Sequence, residues 1–88
     1  MERREVTIRN RLGLHGRAAA KLVTLCVRYR SRVVLFCNGR AADGRHLIAL
    51  LTLSAAMGAQ VHIEVNGPDE ELAAIAVTRL ISDGFGER

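Results

Sequence analysis

The sequence predicts an α+β fold, an open-faced two-layer sandwich in which three helices cover one face of a four-stranded sheet. Segments that alternate polar and apolar residues, typical of half-buried strands, are interleaved with segments whose apolar residues recur every three or four positions, as in amphipathic helices. Asn38-Gly39, the strongest two-residue signal for a β-hairpin, joins two strand segments and makes that pair antiparallel. The 88 residues suffice for a single domain, residues 1–88, with one modest core.

The first half of the chain contains one helix and three strands. Residues 5–9 alternate polar and apolar side chains, and residues 32–37 form a compact apolar run, so both segments predict strands. Residues 40–43 form a short return strand after the hairpin turn. The first helix, which we expect to end near Arg30, has an apolar stripe that consists of Ala19, Leu22, Val23 and Cys26.

The second half adds two helices and a strand, giving the order β-α-β-β-α-β-α. Residues 47–57 predict a helix that ends at Gly58, and residues 60–65 alternate with their odd positions inward. We expect Asp69 or a neighbour to cap the third helix, where acidic residues also suit the positive end of the helix dipole. The third helix ends at Gly84, and its apolar stripe consists of Ala73, Ala76, Val77 and Leu80.

Charge and composition argue against several classes of function. Residues 1–45 carry eleven basic and three acidic side chains, or +8, whereas residues 46–88 carry two and six, or −4. The basic half favours an anionic partner, but with one Tyr and two Phe the chain lacks the aromatic platform of a nucleic-acid-binding domain. Without a long apolar run or an apolar leader, no membrane insertion is expected, and the predicted location is cytoplasmic.

The two cysteines, Cys26 and Cys37, are expected to be buried and to behave as small apolar side chains. No metal site and no cofactor are expected.

The second helix is apolar nearly all round. A helix in so small a protein cannot be buried on every side, so Leu47, Ile48 and Leu51 are expected to be exposed in part. A contiguous exposed apolar patch usually marks a docking site. The alternative is a shallow helix that is simply well buried.

The candidate chemistry lies at the start of the first helix, at His15. The first amides of a helix have no partner within it, so those of Gly16, Arg17 and Ala18 form a ready anion site. Arg17 is unfavourable beside the positive end of the helix dipole unless it helps to bind an anion there. A neutral imidazole next to this site can act as a phosphoryl-accepting nucleophile. The alternative is that His15 is only a loop or N-cap residue.

Residues 13–17, Gly-Leu-His-Gly-Arg, closely resemble the Gly-(Ile/Leu)-His-Ala-Arg-Pro-Ala active-site motif of the HPr family, the histidine-containing phosphocarriers of the phosphotransferase system. The resemblance covers the whole chain and includes the hairpin signal, the apolar second helix and the terminal Gly-Phe-Gly-Glu. It implies a four-stranded antiparallel sheet under three helices. It also implies that His15 accepts a phosphoryl group at Nδ1 from phosphorylated Enzyme I, that Arg17 stabilises this group, and that a IIA-type protein or domain receives it.

The resemblance further implies that the first and second helices form the docking face, for which we expect Ala20, Thr24, Leu47, Ile48 and Leu51. We also expect the chain to be a monomer. Three residues depart from the family pattern: Gly16 replaces Ala, Ala18 replaces Pro, and His46 stands where many members carry a regulatory Ser. The serine switch is therefore absent. Residues 49–53 and 67–71 look somewhat more like the nitrogen-related branch than the sugar branch.

Two rival functions stay open at this point. A regulatory HPr-like module would dock on an enzyme or transcription factor, and its phosphorylation would act only as a signal. A small nucleic-acid-binding domain would use the Arg-rich first half, with an affinity that falls steeply with salt and does not depend on His15.

Overall fold

A computed structural model describes residues 1–87 and confirms the predicted α+β class. The elements follow the predicted order, and a 3₁₀ turn at Gly84–Gly86 follows the last helix. The strands and helices are β1 (Glu2–Thr7), α1 (Gly16–Cys26), β2 (Arg32–Cys37), β3 (Arg40–Asp43), α2 (Leu47–Leu51), β4 (Gln60–Asn66) and α3 (Glu70–Ser82).

The four strands form one antiparallel sheet in the order β1-β4-β2-β3. In β4, the side chains of Val61, Ile63 and Val65 are buried and alternate with exposed or half-buried ones, as the alternation of polar and apolar residues predicts. The buried face packs under the helices. The core is completed by apolar side chains from α1, α3 and the segment after α2.

The predicted hairpin joins β2 and β3. Asn38 and Gly39 both have positive φ, 54° and 75°, which a type I′ turn requires at its two central positions. The Asn38 side chain also donates hydrogen bonds to the carbonyls of Leu53 and Ser54, at 2.9 and 3.1 Å. The turn is therefore tied to the segment that follows α2.

Two helices are shorter than predicted, and in each case a hydrogen-bond partner from elsewhere explains the difference. α1 ends at Cys26 rather than near Arg30, where the amides of Arg30 and Ser31 donate to the Asp69 carboxylate instead of continuing a helix. α2 covers five residues rather than eleven. Ser54 has a φ of +52°, which a continuing right-handed helix does not allow. The side-chain amide of Asn38 donates hydrogen bonds to the carbonyls of Leu53 and Ser54.

The remaining differences are of register. β1 lies at Glu2–Thr7 rather than at residues 5–9, because its charged first half pairs through the backbone with β4 and carries no apolar signal. Asp69 occupies the N-cap position of α3, but its side chain does not cap that helix. The buried residues of α3 are Ala73, Ala74, Val77 and Ile81, so Ala73 and Val77 are buried as predicted, whereas Ala74 and Ile81 are buried in place of Ala76 and Leu80. None of the helices within residues 1–87 combines the length and the apolar character needed to cross a membrane.

Candidate functional site

His15 ends the loop after β1 and is the N-cap residue of α1, with an extended backbone. Its carbonyl accepts the hydrogen bond from the Ala19 amide at 2.8 Å, the first bond of the helical pattern. The amides of Gly16, Arg17 and Ala18 precede that bond. The Arg17 amide donates to Nδ1 of His15 at 3.2 Å, and the other two have no acceptor within residues 1–87. Such amides at the start of a helix can donate to an anion.

The loop that presents His15 is fixed by the core. Leu14 is buried, and its amide donates to the Ala55 carbonyl at 2.8 Å. A Cβ at Gly13 would lie 2.4 Å from the same carbonyl oxygen, so the backbone passes this point only because Gly13 has no side chain. Asn10, itself buried, donates from Nδ2 to the Gly13 carbonyl at 2.7 Å. These contacts set the direction from which His15 meets the helix.

The second ring nitrogen of His15 contacts a carboxylate from the far end of the chain. Nε2 lies 2.5 Å from Oε2 of Glu87, and the other oxygen, Oε1, accepts a hydrogen bond from Nδ2 of Asn10 at 3.0 Å. The hydrogen bonds from Asn10 and His15 lower the pKa of Glu87 below its ordinary value. Both side chains are mostly covered, with 26% of His15 and 20% of Glu87 exposed.

The turn at Gly84–Gly86 brings Glu87 to this position. Phe85 is buried and has a φ of +57°, between two glycines that also have positive φ. Its carbonyl accepts a hydrogen bond from Nζ of Lys21 on α1 at 2.7 Å. The buried ring offsets the unfavourable backbone conformation and anchors the end of the chain beside the first helix.

The hydrogen bonds assign the tautomer of the neutral imidazole. Nδ1 accepts from the Arg17 amide and therefore carries a lone pair, whereas Nε2 carries the proton and donates to the Glu87 carboxylate. The lone pair is thus directed at the first turn of α1, through the Arg17 amide. An open depression of about 580 Å³, lined by Leu12, His15, Arg17 and Glu87, leaves room for a substrate group. This arrangement can attack an electrophilic centre and hold the anionic oxygens around it.

His15, Gly16 and Arg17 lie together at the start of α1, and the Ala18 amide lies beside them although its methyl group is buried. The predicted docking residues divide into two groups. Leu47 and Ile48 are 40% and 71% exposed. Ala20 and Thr24 are also exposed on α1, but Leu51 is half-buried against the core because α2 rests on that side.

Asn10, Lys21 and Glu87 were missed from the sequence. Their contacts span the length of the chain, and Glu87 lies 72 positions from His15. The available signal was Gly84-Phe85-Gly86, an aromatic residue between two glycines near the end of the chain, which is typical of a buried anchor in a tight turn. His46, the N-cap residue of α2, is exposed and makes no capping hydrogen bond.

The family model described as the PTS HPr component phosphorylation site matches residues 2–83. The chain belongs to the HPr family. Curated relatives include phosphocarrier protein HPr of Cupriavidus necator, 42% identical over 87 residues, which cover 99% of this chain and 98% of the relative. Phosphocarrier protein NPr of Klebsiella oxytoca is 45% identical over 83 residues, which cover 93% of this chain and 92% of the relative.

Solved HPr structures share the fold as well. The crystal structure of HPr-C-His from Thermoanaerobacter tengcongensis superposes with a TM-score of 0.94 at 28% identity, covering all of this chain and 99% of that one. Membership of the HPr family identifies the chain as a phosphocarrier of the phosphotransferase system. The predicted resemblance is therefore confirmed.

Proposed function

We propose that His15 accepts a phosphoryl group on Nδ1 from phosphorylated Enzyme I in the cytoplasm and passes it to a IIA-type protein or domain. The observation that carries this proposal is the hydrogen bond that Nδ1 of His15 accepts from the Arg17 amide, in the first turn of α1. The nucleophile, Nδ1 of His15, therefore lies beside the donors that would bind the phosphoryl oxygens before any phosphoryl group arrives. Little reorganisation is needed at the moment of transfer.

The transfer itself requires one nucleophile and a cradle for three oxygens. The Nδ1 lone pair forms the bond to phosphorus while the bond from phosphorus to the donor breaks, and the donor keeps that electron pair. The Arg17 amide exchanges Nδ1 for a phosphoryl oxygen, and the amides of Gly16 and Ala18 gain their missing acceptors. The exposed Arg17 guanidinium folds over the same oxygens and offsets their charge. Reversal of these steps delivers the group to the acceptor.

The docking face that serves both partners is formed by α1 and α2. Ile48 and Leu47 supply exposed apolar area next to the site, and Leu51 supports them from its half-buried position. Ala20 and Thr24 extend this face along α1, where small side chains allow close approach. The basic first half of the chain steers acidic partners toward it. We propose that the chain works as a monomer, since the relay needs this face free.

The test is phosphorylation by phosphoenolpyruvate and Enzyme I, followed by intact mass spectrometry. The wild-type chain should gain one phosphate that is labile in acid and stable in base, as a phosphoramidate is. His46→Ala and His62→Ala are matched controls, because both residues are exposed and distant from the start of α1 in sequence; both variants should gain the same phosphate. His15→Ala should gain none. A phosphate retained in His15→Ala would refute the assignment.

A further inference from the structure

We infer that Glu87 is a positioning residue for phosphoryl transfer, which holds the proton on Nε2 of His15 and faces the positive charge that the ring acquires when Nδ1 is phosphorylated. The inference rests on the proposed role of His15 and deepens it. It adds a contact between the two ends of the chain to a site that otherwise belongs to the first helix and its preceding loop.

The carboxylate is held at both oxygens, so its orientation is fixed. Oε2 contacts Nε2 of His15 at 2.5 Å, and Oε1 accepts from Asn10 Nδ2 at 3.0 Å. The same Asn10 amide group donates to the Gly13 carbonyl, two residues before His15. Asn10 is 5% exposed and cannot swing away to solvent. A buried amide therefore links the carboxylate to the loop that carries the nucleophile.

The backbone around Glu87 is equally constrained. Phe85 is 1% exposed, and Lys21 holds the carbonyl of this residue at 2.7 Å. Lys21 also places a positive charge near the Glu87 carboxylate, which favours its ionised form. These contacts hold the Glu87 carboxylate in a single orientation toward Nε2 of His15, as a positioning role requires.

The chemistry of the ring explains why such a partner matters. A neutral imidazole has one proton and one lone pair, and attack from Nδ1 requires the proton to be on Nε2. When Nδ1 bonds to phosphorus, no proton leaves the ring, so Nε2–H and N–P coexist and the ring becomes cationic. Glu87 then forms a charge-assisted hydrogen bond to a cation. Its interaction is stronger in the phosphorylated state than in the resting state, which is what stabilises the product-like transition state.

Glu87→Gln tests this role, because it preserves shape and removes the charge. The Gln amide can donate to Nε2 and so move the proton to Nδ1. In ¹⁵N spectra of histidine-labelled wild-type chain, we expect the unprotonated nitrogen of His15 to be Nδ1; in Glu87→Gln, a substantial share should be Nε2. Phosphorylation by Enzyme I should become about tenfold slower in kcat, the lower range for a hydrogen bond to a charged group. The KM for the chain should stay unchanged, because the docking face is untouched.

Glu71→Gln is the matched control, since it makes the same chemical change on the exposed surface of α3 and should alter neither the tautomer nor kcat. A wild-type tautomer together with a wild-type kcat in Glu87→Gln would overturn the inference. In that event His15 would still become phosphorylated, so the proposed function would stand. Loss of phosphorylation in His15→Ala tests that function independently.

Discussion

Ser31 and Asp69 bind each other across 38 positions of the sequence and join the turn after α1 to the turn before α3. Oδ1 of Asp69 accepts from the Ser31 amide at 2.9 Å and from its hydroxyl at 2.6 Å, and the Ser31 hydroxyl accepts from the Asp69 amide at 3.2 Å. The second carboxylate oxygen accepts from the Arg30 amide at 3.0 Å. Ser31 is fully buried, so these bonds satisfy groups that water cannot reach.

We expect Asp69→Asn to destabilise the fold near pH 7 and to lose this effect in acid. The hydrogen bonds from Ser31 and Arg30 lower the pKa of Asp69 below its ordinary value of 3.8. A lowered folded-state pKa contributes stability that is complete above the unfolded-state value and is lost as the pH falls through the folded-state value. The difference in unfolding midpoint between wild type and variant should therefore be largest near pH 7 and shrink below about pH 4. Urea unfolding of the wild type and of the variant near pH 7 and below about pH 4 measures this difference.

Glu71→Gln provides the control for this experiment, as an acid-to-amide change at an exposed position of α3. Near pH 7 its unfolding midpoint should fall less than that of Asp69→Asn, because it removes only the small contribution of one charge to the helix dipole. A constant difference between Asp69→Asn and wild type across the pH range would show that the carboxylate charge is not what stabilises these turns.

The parts of the fold that were predictable from sequence are those set by neighbouring residues. The type I′ turn follows from Asn38-Gly39 alone, and the buried face of β4 follows from strict alternation. The length of α2 was not predictable, because it depends on Asn38, which reaches the end of that helix from another part of the chain. The role of Asp69 was missed for the same reason: a residue typical of an N-cap found a better partner in Ser31.

The site divides along the same line. His15 and Arg17 lie in one continuous segment, so the position of a nucleophile beside free helix amides could be inferred from local rules. Glu87 comes from the opposite end of the chain, and its approach depends on the burial of Phe85 and on a left-handed turn. No local periodicity encodes such a contact, which requires the packed core to exist first.

Two glycines near His15 should respond in opposite ways to substitution by alanine. Gly13 has a φ of +66°, and a Cβ there would lie 2.4 Å from the Ala55 carbonyl oxygen, so Gly13→Ala should cost about 2–3 kcal/mol. A Cβ at Gly16 meets nothing within 4 Å, so Gly16→Ala should stabilise the chain by about 0.5 kcal/mol. Thermal unfolding of both variants measures these changes. Gly16→Ala should also keep full phosphorylation, since the amide at that position is retained; a loss would mean that the first turn needs glycine itself.

Arg17→Ala should slow phosphoryl transfer without affecting the fold. The side chain is exposed, so its removal should change the free energy of unfolding by less than about 0.5 kcal/mol. The rate of phosphorylation by Enzyme I should fall about tenfold, because a charged donor to the phosphoryl oxygens is lost. Arg3→Ala is the control: Arg3 is also exposed, but it lies on β1 and pairs with Glu64. Equal rates for Arg17→Ala and Arg3→Ala would contradict the role assigned to Arg17.

Ile48→Asp should weaken partner binding at the docking face while leaving the molecule folded. Ile48 is 71% exposed on α2, so an aspartate there remains solvated in the free protein and becomes unfavourable only when a partner covers it. We expect the KM for the chain in phosphorylation by Enzyme I to rise about tenfold, comparable to the loss of one buried aliphatic side chain. Leu72→Asp is a matched control, since Leu72 is 65% exposed and lies on α3, outside the proposed docking face. Because both substitutions place the same charge on an exposed apolar position, a rise in KM for Ile48→Asp alone locates the interface on α2. Equal effects of the two would place the docking surface elsewhere.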